Sequence, residues 1–420
     1  MEKSASEPTA VPTPQTEQQS ADTRPRLPSG WAERLKQTVQ TGGREQAFEE
    51  LISLLRDSGQ FEKILEARLL AKRAELGLPL VHARPLDDLL PEVRQQYEDA
   101  YVEACREVGR LLLENGEIAR AWPYYRVIGE PGPVAEAIER LPVEGAPEEV
   151  VQIAFHEGVN PAKGFAMILE NYGTCAAVTA FEGYTGQAGR QECITLLVNR
   201  LHEELLSGLK YAIEQREGKC PETDSIEELV ADRPWLFEDN TYFVDTSHLS
   251  ATVRFATESE DRRTIERAVG LCEYGRRLSP MLQYKGFVPF EDVYNDCLVY
   301  LRALLGEDPT PAIEMLHRKA QHENADLTGY IAAQVLVNLL CRLKRYEEAI
   351  DVFERYLREV PLDQLYCPTL QQLCALAGRP DRLQQAAIRD DDAVAYLAGL
   401  LLERSEPGEK PHEQGAADRS

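Results

Sequence analysis

Apolar residues recur at three- and four-residue steps along much of this chain, most clearly in two blocks, Leu336/Leu340/Leu343 and Ala349/Ile350/Phe353/Leu357. The polar residues Lys344-Arg345-Tyr346 separate them. This spacing predicts two amphipathic helices folded back on each other across a short hinge. One hairpin cannot enclose a core, so it must stack on neighbours. Similar patterns lie around Ala121 (Gly109, hinge Gly116, Tyr125) and around Ala268 (Ala256 and Gly275, with Pro280 ending the second helix). Leu301 to Ala320 reads as a further hairpin that turns at Gly306 to Pro311 around Ala312. The anchors Ala268, Ala312 and Ala349 lie 44 and 37 residues apart. Phe48 to Leu76 reads as one more hairpin and Leu370 to Leu402 as a terminal cap.

Between about Gly145 and Asn240 that register is lost. A long helix is predicted from Gln191 to Gln215, with Ile194, Leu197, Leu201, Leu205, Leu209 and Ile213 on one stripe. A capping box, Ser225 to Glu228, opens the next helix. Asp245 is placed to cap a helix running to about Ala256. Thr241 to Val244 is the one short β-like run.

The block from Ala333 to Pro361 resembles the tetratricopeptide repeat. With Ala349 as that family's small twentieth residue, Leu336 falls at position seven, Tyr346 at seventeen, Phe353 at twenty-four and Pro361 at thirty-two. Val337 stands where a small residue is usual, Ala333 where an aromatic is usual, and Tyr356 where another small residue is usual. The resemblance implies an all-α fold, an α-solenoid of antiparallel helix hairpins. It also implies binding of a peptide or protein partner in the concave groove.

Composition sharpens this. The chain has 420 residues with 46 basic and 71 acidic side chains, a net charge of −25. Phosphate backbones and anionic membranes are repelled on average, so nucleic acid and membrane are not expected partners, whereas a basic peptide or protein is. No apolar run approaches the length of a bilayer span. Residues 1–30 lack a hydrophobic segment, so they do not read as a signal peptide. They are rich in Pro, Ser, Thr, Gln and Glu, and with 403–420 they are expected to be disordered tails. The organisation expected between them is helical hairpins over 31–144, a divergent helical region over 145–248 and repeat-like hairpins over 249–402. Nine cysteines without a CxxC pair read as free thiols of a reducing, cytoplasmic setting.

Candidate chemistry concentrates in the divergent region. His156, His202 and His248 are spaced 46 residues apart, and Glu157 and Glu203 follow the first two. Three imidazoles with an open fourth position suit a catalytic zinc, and a neighbouring carboxylate suits a general base. That is the alternative function, a metal-dependent hydrolase or small-ligand protein. Against it stand the missing HExxH motif and the dissimilar local sequences; ordinary helix histidines are the competing reading. Asp245 and His248 form a cap and first turn that could also bind. In Asn171-Tyr172-Gly173-Thr174-Cys175, Gly173 reads as the C-cap of a helix over Gly164 to Leu169. Cys175 reads either as a small core residue or as a nucleophile. Tyr284 and Phe287 could form a peptide-binding ledge beside Arg276 and Arg277, while Phe290 and Tyr294 read as packing residues. GxGxxG, GxxxxGK[ST] and GxSxG are all absent, so neither nucleotide chemistry nor a serine hydrolase is indicated. The expectation is therefore a non-enzymatic interaction scaffold with no cofactor.

Overall fold

The computed structural model describes residues 26–81, 89–322 and 329–404. Among these, the regular structure is all helical, with no strand and one isolated antiparallel bridge between Lys285 and Asp292. The chain divides into two compact units at Leu141/Pro142.

The first unit holds α1 (Trp31–Asp57), α2 (Phe61–Glu75), α3 (Pro91–Glu114), α4 (Ile118–Val127) and α5 (Gly132–Glu139). Each helix packs on the next, and α5 returns to α3. Ile52, Leu55, Ile64, Val108, Leu112 and Ala121 close its core. Gly116 adopts φ 76° at the α3–α4 turn, a left-handed conformation that costs glycine little. A Cβ on Gly109 would stand 2.6 Å from the Tyr125 ring, so α3 and α4 approach closely there.

The second unit begins with α6 (Glu148–Val151), a π turn (Gln152–His156), α7 (Pro161–Glu182), α8 (Arg190–Glu217) and α9 (Ile226–Ala231). It continues through α10 (Thr246–Ala256), α11 (Arg262–Gly275), α12 (Val293–Leu304), α13 (Thr310–His322), α14 (Ile331–Arg342) and α15 (Tyr346–Tyr356). Three short helices finish it: α16 (Leu370–Ala377), α17 (Pro380–Asp390) and α18 (Ala393–Arg404). All six apolar positions predicted along α8 are buried. Each such side chain contributes about 2 kcal/mol relative to exposure. They face α7, α10 and α11. The α14–α15 hairpin forms with Lys344 at φ 59° in its hinge, and Leu336, Leu340, Ala349, Ile350 and Phe353 are buried. Gly275 lies against Tyr294, where a Cβ would come within 2.3 Å of the ring.

Several local expectations change. The stretch Thr241 to Val244 is not a strand; it is a loop in which the Phe243 N–H donates to the Tyr274 hydroxyl at 2.9 Å. Gly173 interrupts α7 at φ 80°, ψ 177°, as a C-cap glycine would, but the chain turns helical again directly after it and runs to Glu182. That helix starts at Pro161 rather than Gly164, because the Asn160 side chain accepts the Lys163 N–H at 3.2 Å and caps it. Of the expected disordered tails, residues 1–25 and 405–420 lie outside the described residues, and α18 runs to Arg404.

Candidate functional site

The π turn sets the geometry around His156. Five residues, Gln152–His156, widen the end of α6, and the Glu157 N–H donates to the Gln152 carbonyl at 3.0 Å. Such insertions re-aim side chains and recur at functional sites. Here Ile153, Ala154 and Phe155 point inward while His156 and Glu157 are exposed. Gly164 of α7 makes this possible, since a Cβ there would lie 2.6 Å from the Phe155 nitrogen. Beneath the turn, Phe155 packs 5.7 Å from Phe165 and 5.1 Å from Tyr184. Phe165 in turn lies 5.9 Å from Phe181, which sits 4.7 Å from Phe255 on α10. The Arg190 guanidinium lies 4.6 Å over Phe181 and pairs with Glu258 at 2.7 Å. This aromatic row gives the surface above it a firm base.

That surface carries two adjoining cavities sharing His156, Thr179 and Ala180. One, of about 590 Å³, runs from His156 over Gly183 to the 184–188 loop. The Tyr184 hydroxyl closes that loop by donating to the Ala188 carbonyl at 2.5 Å. The other, of about 400 Å³, is floored by Val151 and Ile168, walled by Tyr172 and flanked by Glu148. Small residues at Ala176, Thr179, Ala180 and Gly183 follow one face of α7 and leave the space open. Glu148 and Glu157 are the charged lining residues, and among the described residues no Lys or Arg lines either cavity. Burial pushes the Tyr184 phenol up, and the Cys193 thiol in this region is pushed up to about 12 by burial, so neither is primed for ionisation.

The sequence candidates fall into separate places. His156, Glu157 and Tyr172 line the groove. Asn171 is a structural clamp: its amide donates to Val143 O and Met167 O, each at 2.7 Å, and accepts the Gly145 N–H at 2.7 Å. His202 is half-buried on α8, and its Nδ1 has no hydrogen-bond partner among the described residues. Burial, then the Arg267 cation, lowers its basicity. Glu203 pairs with Arg267 at 3.4 Å. Asp245 caps α10, accepting the Ser247 N–H at 2.9 Å and the His248 N–H at 3.3 Å. The Ser247 hydroxyl and these N–H groups hold its carboxyl below the usual range. His248 is half-buried in the first turn. Among the described residues no group of three or more His, Cys, Asp or Glu side chains is placed to hold a metal ion, so His156, His202 and His248 form no such cluster. Cys175 is exposed rather than a core residue.

Tyr284 and Phe287 stand on the α11–α12 loop, 51% and 81% exposed. The loop is pinned from behind. Lys319 donates to Pro289 O at 2.6 Å, Glu291 Oε2 at 2.5 Å and Asp296 Oδ2 at 2.6 Å. Phe290 packs edge-on to Tyr300 at 5.5 Å, and Tyr294 is buried. Arg276 is drawn to the buried Glu273 at 2.7 Å, and Arg277 to the carbonyls of Val230 and Ala231.

Sequence reasoning missed Thr179, Ala180, Gly183 and Tyr184. Their signal was the run of small residues after Gly173, which reads as ordinary helix until the π turn is set against it. Comparison with known proteins returns no match: no family model fits the chain, and no curated protein or solved structure resembles it significantly. No described helix is long and apolar enough to cross a membrane.

Proposed function

We propose that this chain is a non-enzymatic interaction module of the cytoplasm, an α-solenoid of tetratricopeptide-like hairpins that holds a segment of a protein partner. The observation that carries the reading is the packing order in the second unit. From α10 to α15 each helix packs on its successor, and alternate helices α8, α10, α12 and α14 also pack in series. Serial packing of alternate helices is the arrangement in which hairpin repeats bury a continuous core. The side chains capable of chemistry support it too, since Asn171, Asp245, Glu203 and Lys319 are spent on clamps, caps and ion pairs. A fold of this kind does not by itself fix an activity, so the surface features must carry the function. The acidic balance favours a basic partner over nucleic acid.

The rival reading, a zinc hydrolase on His156, His202 and His248, needs a ligand cluster. Metal content by mass spectrometry on the purified full chain, beside a His156→Ala/His202→Ala variant, tests the choice. Substoichiometric zinc in both samples is expected. Stoichiometric zinc that disappears in the double variant would overturn the scaffold reading.

A further inference from the structure

The groove around His156 has a one-sided chemistry. Its two cavities, about 590 and 400 Å³, together offer room for a short stretch of peptide rather than a folded domain. Its floor near α6 is apolar, with Val151 and Ile168 buried and Ala176 half-buried. Glu148 at the edge is exposed and has no ion pair with any described residue. Among the described residues no Lys or Arg lines the groove to receive an anion. The chain as a whole is acidic, which steers cations towards it and repels acidic segments.

We infer that this groove receives a short extended segment in which a Lys or Arg neighbours a branched apolar residue. The apolar side chain rests on Val151, Ile168 and Ala176, and the cation lies against Glu148. The inference rests on the interaction-module reading and adds the site and the chemistry of the partner. Apolar burial supplies most of the binding, because an exposed ion pair by itself changes affinity by only about one- to fivefold. The charge supplies selection against acidic segments. The firm aromatic base under the π turn keeps the groove formed before binding, which lowers the ordering cost of association.

Three fluorescein-labelled octapeptides test it by anisotropy against the full chain: alternating Lys/Val, Glu/Val and Lys/Ser. The Lys/Val peptide is expected to bind, the Glu/Val peptide to bind more weakly through repulsion by the acidic chain, and the Lys/Ser peptide to bind at least about tenfold more weakly. Ala180→Arg, which fills the space shared by both cavities, should cost more than about tenfold, with an unchanged circular dichroism melt. Glu148→Lys should cost about three- to tenfold, while Glu214→Lys, the same charge change at an exposed position on α8, should cost less than about twofold. Equal losses at Glu148 and Glu214 would show attraction by net charge alone and overturn the site. Binding that survives Ala180→Arg would also overturn it, while leaving an interaction module that works through another surface. Failure of all three peptides to bind would overturn the proposed occupant, and the zinc measurement then decides separately whether the module reading itself stands.

Discussion

Replacing Gly164 with alanine tests the link between sequence, packing and the groove. Two effects oppose each other. Within a helix, alanine is favoured over glycine by about 1 kcal/mol. Against this, the new Cβ would lie 2.6 Å from the Phe155 nitrogen, 2.8 Å from Phe155 Cβ and 2.9 Å from Ala154 Cβ. Ordinary carbon contacts lie at about 3.5–4.0 Å, so the turn must move by close to an ångström. The nearest obstacle is backbone, and the turn is held by Phe165 and Tyr184 on its inner side, so no flexible side chain can give way. Overpacking of this kind costs about 1–3 kcal/mol. The contacts put this site at the upper end, for a net loss of about 1–2 kcal/mol. Gly270→Ala on α11 is the counterpart, because its Cβ would meet Ile226 at 3.4 Å, an ordinary contact. That change should stabilise by about 0.5–1 kcal/mol. Urea unfolding gives the two signs. Hydrogen exchange over the α6–α7 segment should show faster opening only in Gly164→Ala, since the strain is local. A Gly164→Ala protein as stable as the parent, or less destabilised than Gly270→Ala, would refute the account of how α7 seats the π turn.

Other expectations follow from the ion pairs and histidines. Lys319→Met strands the Asp296 and Glu291 carboxylates behind the α11–α12 loop and should cost about 3 kcal/mol in urea unfolding, because breaking a largely buried pair leaves a charge unpaired. Burial already raises the Asp296 carboxyl against the pull of Lys319, so the loss in that variant should shrink at acid pH as Asp296 takes up a proton. His202 and His317 are both less basic than free histidine, through burial first and then the cations Arg267 and Arg355. Around His202 the carboxylates of Glu203 and Asp224 oppose that shift, and around His317 Glu348 does. The unfolded chain therefore binds more protons, and the stability these groups contribute is full above about pH 6.5 and lost as pH falls towards their lowered folded values. A His202→Leu/His317→Leu protein should flatten the melting temperature over that acid range; an unchanged slope would remove the argument.

Much of the helical framework was legible in the sequence because it depends on local rules. The period of Ile194 to Ile213 marked the buried face of α8, and the polar break at Lys344 to Tyr346 marked the turn between α14 and α15. Asp245 announced its cap. The site was legible only in pieces. His156, Glu157 and Tyr172 were marked, but so were His202, Glu203, Asp245 and His248, and spacing along the chain could not say which would share a surface.

Local sequence thus determined many of the helical segments and the faces they bury. Tertiary structure alone decided that Gly164 seats the π turn, that Asn171 clamps a loop, and that the residues after Gly173 line a groove around His156. Periodicity and capping act over a few residues of one segment. A groove is a space between segments, and it exists only once the distances between them are set.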